Sequence, residues 1–121
     1  MAEQDDEFAV QSLRGLPVVN LPAELDLGNV ASLREALRAA CGQHPVVVAD
    51  MSATAFCDSM ALRALLEGRD LAARNGGELR LVLRAAQLLR IFAVTGFDVL
   101  FPVFGSLPEA LADEGRRPAA S

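Results

Sequence analysis

Short apolar runs alternate along the chain with longer segments in which apolar residues recur every three or four positions. The β-branched run Val46–Met51 predicts a strand buried on both faces, as in parallel sheets. Helical spacing follows over about Met60–Arg74, Glu78–Leu83 predicts a second strand, and Ala85–Val94 predicts a shorter helix. The apolar run Phe97–Phe101 predicts a last short strand. The order from Val46 onward is therefore strand, helix, strand, helix, strand.

The first part of the chain predicts a hairpin and one helix. Phe8–Leu13 and Val18–Leu21 flank a turn at Arg14-Gly15, which is typical of two antiparallel strands. Helical spacing then runs from Val30 to about Ala40, and we expect Gly42 to end this helix.

These elements predict an α/β fold with two layers. Parallel strands need crossover connections, which are right-handed, so we expect a mixed sheet: an antiparallel N-terminal hairpin, then parallel βαβαβ, with helices on one face. Ser106 and Glu109 have the spacing of a capping box, which predicts a final helix from about Leu107 to Ala112. We expect one domain over residues 8–112, a disordered acidic segment at 1–7 and a flexible tail at 113–121.

Charge and hydropathy exclude several classes of protein. The net charge is −5 and the chain has no Lys, which argues against direct nucleic-acid binding because phosphate contacts need clustered cations. No apolar run approaches the roughly 20 residues of a membrane span, and the acidic start of the chain is the reverse of a signal peptide. We expect a cytoplasmic protein.

The two cysteines do not indicate a metal site or a disulfide framework. The chain has two cysteines, Cys41 and Cys57, and one histidine, His44. These three residues are too few ligands for a standard zinc site. We expect both to be buried as small hydrophobic residues, and a redox role for Cys57 stays open. No metal or cofactor is expected.

The most informative position is Ser59, at the predicted start of a helix. The strand Val46–Met51 ends in a loop that leads into this helix, so the loop lies at the carboxyl edge of the sheet, where open α/β sheets carry functional groups. As a nucleophile Ser59 lacks a base, because His44 precedes the strand and lies at its opposite end. A phosphate on Ser59 suits a helix N-terminus, whereas a partner docked over it would be repelled. An ordinary, unregulated N-cap is the alternative.

Four stretches of the chain, spread over about Phe8–Ala112, resemble one known family in its order. They are Pro22–Leu27 with Leu33–Leu37 (similar to "GELD…LREAL"), Val46–Ser59 ("VVVDLSxVxFxDS"), Gly96–Phe104 ("TGLDxLFPVY") and Ser106–Leu111 ("SLEEAL"). This is the pattern of STAS domains, specifically the bacterial anti-sigma factor antagonists. The resemblance implies a STAS-like fold.

The resemblance also implies a function in transcription regulation and stress response. Members of the family bind an anti-sigma factor that is also a serine kinase, and so release the sigma factor. The kinase uses ATP to phosphorylate the serine that follows an aspartate, and a serine phosphatase reverses this. Here that serine is Ser59, after Asp58. Met60 and Ala61 stand where the family commonly has Ser or Thr and then Gly.

We therefore expect a non-enzymatic antagonist whose partner surface comprises the loop before Ser59, the start of the following helix and the connector Leu25–Asn29. The expected partner-binding residues are Asp26, Asn29, Thr54, Phe56, Cys57, Asp58, Ser59, Met60 and Arg63. One alternative is a STAS adapter in a larger regulatory or lipid-transport assembly that is never phosphorylated. A second alternative, an enzyme, is weakened by the missing base.

Overall fold

The computed structural model describes residues 8–112, which form seven strands and five helices. In chain order these are β1 Val10–Leu13, β2 Leu16–Asn20, β3 Glu24–Leu25, α1 Val30–Gln43, β4 Val46–Met51, β5 Phe56–Cys57, α2 Ser59–Arg74, β6 Glu78–Leu83, α3 Ala86–Thr95, α4 Phe97–Leu100, β7 Val103–Phe104 and α5 Leu107–Ala112. The segments predicted at 1–7 and 113–121 lie outside the described residues.

The main sheet has five strands in the order β1-β2-β4-β6-β7 and is mixed, as predicted. β1 and β2 are antiparallel, and the two residues of their connecting turn, Arg14 and Gly15, both have positive φ, as a tight hairpin turn requires. All other neighbours in this sheet are parallel, with Ala49 of β4 between Val19 and Leu81. The predicted mixed α/β fold is therefore confirmed.

One face of the sheet is covered by the long helices α1 and α2. The largest core cluster joins alternate strand residues, such as Val47 and Ala49, to Leu33 and Leu37 of α1 and Leu65 of α2. The helices approach closely because Gly68 has no side chain: a Cβ there would lie 3.3 Å from Leu37.

The last helix, α5, packs on the opposite face of the sheet. Its Ala110 joins a second cluster with Val18, Val48 and Val82, which alternate with the residues of the first face. This second cover is a feature that the sequence pattern did not predict, although a strand buried on both faces needs one.

Several boundaries and one element type differ from the sequence-based expectation: β1 begins at Val10 rather than Phe8, and β2 covers Leu16–Asn20 rather than Val18–Leu21. Helix α1 continues through Gly42 to Gln43 and ends because His44 precedes Pro45, which favours extended backbone at His44 (φ −133°, ψ 137°). The predicted strand at Phe97–Phe101 is wrong, since Phe97–Leu100 is helix α4. A short apolar run does not distinguish a strand from a helical turn, and here Phe97 and Phe101 pack their rings against Phe92.

Candidate functional site

The site lies at the carboxyl edge of the sheet, in the loop that joins β4 to α2. This loop is tied to the connector after β2 by a short parallel pair, in which Leu25 of β3 is opposite Cys57 of β5. The Ala55 N–H donates to the Ala23 carbonyl at 2.8 Å, and the Thr54 hydroxyl donates to the Pro22 carbonyl at 2.7 Å. These hydrogen bonds therefore tie the loop to the connector.

Asp58 and Ser59 have different roles at the start of α2. The Asp58 backbone is extended, and its Oδ1 accepts a hydrogen bond from the Ala61 N–H at 2.9 Å, so Asp58 is the N-cap. Ser59 is the first helical residue and is exposed, and its hydroxyl forms no hydrogen bond with another residue in the range 8–112. Because Asp58 makes the cap, the Ser59 hydroxyl is available for modification.

The connector beside this loop is ordered by its own side chains. Asn29 Oδ1 accepts from the Asp26 N–H at 3.0 Å, and Asn29 Nδ2 donates to the Glu24 carbonyl at 2.9 Å. Asp26 Oδ1 accepts from the Gly28 N–H at 2.9 Å. On the other side of the loop, Gln87 at the start of α3 donates from Nε2 to the Ala55 carbonyl. No local sequence pattern predicts this last contact, because the two residues lie 32 positions apart.

The structure brings the predicted site residues to one edge but does not expose all of them. Ser59, Arg63, Phe56 (48% exposed) and Met60 (39%) are at the surface, and Asp26, Asn29 and Asp58 are half-buried. The expectation fails for the side chains of Thr54 and Cys57, which are 1% and 7% exposed. Thr54 is turned inward to satisfy the Pro22 carbonyl, and Cys57 belongs to the main core cluster. Both side chains therefore pack under the loop instead of facing solvent.

One exposed residue of the predicted connector Leu25–Asn29 was not singled out by the sequence analysis. Leu27, in the connector, is 74% exposed, although its side chain is large and apolar. Its exposure could have been predicted from its neighbours, because Asp26 and Gly28 both favour turns. A side chain in such a turn does not reach the core.

Burial keeps both cysteines in the thiol form. Desolvation, together with the smaller effect of the neighbouring Asp58 carboxylate, raises the pKa of Cys57 to about 12. Desolvation alone raises the pKa of Cys41 to about 11. A thiolate nucleophile at neutral pH is therefore disfavoured at either position.

The described residues were searched for a metal site, for a base beside Ser59 and for a membrane-spanning helix. Within residues 8–112, no group of three His, Cys, Asp or Glu side chains is placed to hold a metal ion. His44 is exposed and precedes the start of β4, whereas Ser59 follows the end of that strand, so the two lie at opposite edges of the sheet. Over the same residues, no helix is both long enough and apolar enough to cross a membrane.

Several solved structures are similar to this chain. An anti-sigma factor antagonist from Mycobacterium paratuberculosis is 29% identical, with a TM-score of 0.77 over 85% of this chain and 88% of that one. An anti-sigma-factor antagonist (STAS) domain protein from Planctomyces limnophilus is 23% identical, with a TM-score of 0.75 over 85% and 92%. The latter identity supports the likeness of fold alone.

Two structures of the antagonist SpoIIAA of Bacillus, one unphosphorylated and one phosphorylated, are similar in fold to this chain. Its unphosphorylated form is 18% identical to this chain, with a TM-score of 0.66 over 84% of this chain and 91% of that one. Its phosphorylated form is 20% identical, with a TM-score of 0.67 over 86% and 96%. No curated protein matches the chain in a sequence comparison.

The family model named STAS domain matches residues 7–110, which is most of the chain. The matched segment contains every strand, the hairpin, both long helices and the loop that presents Ser59. This chain therefore belongs to the STAS domain family.

Proposed function

We propose that this protein is an anti-sigma factor antagonist: it binds an anti-sigma factor with serine kinase activity, frees the sigma factor, and is switched by phosphorylation of Ser59. The observation that carries the proposal is the exposed hydroxyl of Ser59 on the first residue of α2, directly after the capping Asp58. A serine phosphatase would restore the binding form. We place this cycle in the cytoplasm, with stress-responsive transcription as its output.

The comparisons support the class of function. The Mycobacterium paratuberculosis chain, 29% identical over most of both chains, is an anti-sigma factor antagonist. SpoIIAA adopts this fold in both an unphosphorylated and a phosphorylated form, so the fold accommodates a phosphate in that protein. In the present chain Asp58 is half-buried and Ser59 is exposed, which is compatible with a phosphate on Ser59.

The proposed contact surface is apolar around a polar centre. Phe56, Met60 and Leu27 expose 48%, 39% and 74% of their surface near Ser59, and such grouped exposed apolar side chains are typical of protein interaction sites. Arg63 is exposed one helical turn after Ser59, on the same face of α2. Because hydrogen bonds already order the loop, binding would require little further loss of conformational entropy.

A phosphate at Ser59 would break binding while leaving the fold intact. The first N–H groups of a helix have no partner within the helix, and Asp58 occupies only that of Ala61, so an added anion finds donors there. A phosphate adds about −1.5 to −2 charges, and like charges brought together at an interface cost several kcal/mol. Even about 3 kcal/mol lowers affinity roughly a hundredfold, which is sufficient for a switch.

We also infer that the protein is not an enzyme. A serine nucleophile needs a base within hydrogen-bond reach, and within the described residues the one histidine lies at the far edge of the sheet. The two cysteine thiols are buried, and their pKa values are raised to about 11 and about 12.

A second candidate function is a STAS adapter that is never phosphorylated. Two neighbours of Ser59 favour it, because Met60 adds an exposed apolar side chain and Ala61, fully buried, holds its methyl group against the core. The adapter would bind its partner with an affinity that is independent of ATP.

A binding experiment with a phosphate mimic tests the proposed function. The wild-type protein, Ser59→Glu and the control Ser12→Glu are each titrated into every purified serine-kinase anti-sigma factor of the same organism. Ser12 is an exposed serine of β1, outside the proposed contact surface, so its variant carries the same added charge without facing the partner. We expect one kinase to bind the wild type and Ser12→Glu alike, and Ser59→Glu roughly a hundredfold more weakly. Equal binding of all three, or no binding to any such kinase, would contradict the proposal.

A further inference from the structure

A small cleft lies between the two long helices, at a distance from the Ser59 loop. Its volume is about 140 Å³, several times the roughly 30 Å³ that a water molecule occupies in the liquid. The apolar lining residues are Leu37, Ala64, Gly68 and Leu71, and the charged lining residues are Arg34, Arg38, Glu67 and Arg74.

The charges of this cleft are not balanced. Arg34 Nε donates to Glu67 Oε1 at 2.8 Å, so the only acidic residue of the lining is already paired. Arg38 and Arg74 are exposed and have no carboxylate partner among residues 8–112. Three arginines against one glutamate leave two positive charges in excess, in a chain whose net charge is −5.

Spacing along α2 alone would favour a different pairing, one that occupies Arg74. Spacing along α2 favours ion pairs of Arg63 with Glu67 and of Asp70 with Arg74. In the structure Glu67 turns to Arg34 of α1 instead, and Asp70 accepts from Arg69 at 3.2 Å. The result is that Arg74 remains available to the cleft.

We propose that this cleft binds a doubly charged oxyanion of the phosphate class. The planar guanidinium group presents paired N–H donors that match the oxygens of a phosphate, and the excess of two positive charges in the lining matches a dianion. Arg34 is oriented in advance by its bond to Glu67. The cleft runs along the middle of α1 and the second half of α2, so the guanidinium group of Arg74, the last residue of α2, also offsets the negative end of that helix dipole.

This site is separate from the proposed phosphorylation site. Along α2, a helix of 16 residues that begins at Ser59, the lining runs from Ala64 to Arg74, which is about 8 to 22 Å from Ser59 along the axis at 1.5 Å per residue. Binding of an anion in the cleft does not depend on modification of Ser59. The two proposals can therefore fail independently.

Titration with inorganic phosphate, followed by two-dimensional ¹⁵N NMR, tests the site. At about pH 7.5 the anion is mostly doubly charged, and sodium chloride keeps the ionic strength constant. We expect saturable shifts of the arginine Nε–H signals of Arg34, Arg38 and Arg74 and of the Gly68 amide. Arg38→Gln and Arg74→Gln should each weaken binding about tenfold or more, because each removes charge-assisted hydrogen bonds.

The matched control is Arg90→Gln, which removes the same charge from an exposed arginine of α3 outside the cleft. It should bind phosphate like the wild type. Shifts that rise linearly without saturation, or an equal loss in Arg90→Gln, would overturn the proposal in favour of general screening. Methyl phosphate distinguishes the source: equal binding supports a phosphate ester as the ligand, and preference for inorganic phosphate supports the free ion.

Discussion

At the scale of single residues, capping of the helix and the proposed phosphorylation fall on two different side chains. Asp58 accepts the hydrogen bond from the Ala61 N–H, and the exposed Ser59 contributes no bond of its own to the described fold. A regulatory modification of Ser59 therefore leaves the cap in place. The neighbouring Cys57 contributes by packing, since it is buried in the main core cluster.

Removing the cap should cost stability, whereas removing the adjacent hydroxyl should not. We expect Asp58→Ala to lower the free energy of unfolding by about 0.5–2 kcal/mol, because the Ala61 N–H loses its acceptor. Urea unfolding followed by circular dichroism measures the change. Ser59→Ala is the control, and a loss as large as that of Asp58→Ala would mean that Ser59 has a structural role.

The buried thiols predict a loss of stability in alkali. Both pKa values are raised by burial, from 9.0 to about 11 for Cys41 and to about 12 for Cys57, so folding favours the neutral thiols. Below pH 9 both states are protonated and the contribution is fully present; above it only the unfolded chain ionises, and stability falls until the folded pKa values are passed. The chain has no Lys and no Tyr, so few other side chains titrate in this window.

Urea unfolding at a series of pH values from 7 upward, about one unit apart, measures this loss. The free energy of unfolding should fall as the pH rises above the 9.0 of a free thiol. The double variant Cys41→Ala/Cys57→Ala, although less stable overall, should show a flatter dependence over the same range. An equally steep fall in the double variant would assign the effect to other groups.

At the scale of elements, the last helix is attached to the sheet by a buried ion pair. Arg80 of β6, only 2% exposed, donates from Nε to Glu78 Oε2 at 2.7 Å and from Nη1 to the Ala110 carbonyl at 2.6 Å. The carbonyl is one of the last of α5 and has no acceptor role within that short helix. Arg80 therefore connects α5 to the face of the sheet that α1 and α2 leave open.

Breaking this pair from one side should be costly. We expect Arg80→Ala to lower the free energy of unfolding by about 3–5 kcal/mol, because the Glu78 carboxylate stays buried without its partner. The double variant Glu78→Leu/Arg80→Met should recover most of that loss, since no buried charge remains. Urea unfolding measures both variants.

The control for Arg80 is Asp70→Ala, which removes only the exposed ion pair with Arg69 and should cost about 1 kcal/mol or less. Similar losses for Asp70→Ala and Arg80→Ala would show that the buried pair contributes no more than an exposed one.

Most elements could be predicted from local pattern, and the failures have a common cause. The strand Val46–Met51 follows from its β-branched run. The end of α2 before Asn75-Gly76 follows from the glycine, which adopts a positive φ. The helix Phe97–Leu100 and the inter-helix pair of Arg34 and Glu67 depend on contacts with distant residues. Such contacts leave no periodic trace in the sequence.

At the scale of the whole molecule, the topology determines where the loop between β4 and α2 lies. β3 and β5 form a second, two-stranded sheet that joins the connector after β2 to the loop before α2. The position of this loop in the fold could be predicted, because the loop after a parallel strand lies at the carboxyl edge of the sheet. The burial of the Thr54 side chain could not be predicted from the sequence, because its acceptor, the Pro22 carbonyl, lies 32 positions earlier.

The most direct test of the central claim is the mass of the intact protein after incubation with ATP and the serine-kinase anti-sigma factor that binds it. The wild type and Ser52→Ala should each gain one phosphate, and Ser59→Ala should gain none. Release of the phosphorylated protein from the kinase should follow. If the wild type binds the kinase and gains no phosphate, or if Ser59→Ala is still modified, the proposed switch at Ser59 is contradicted.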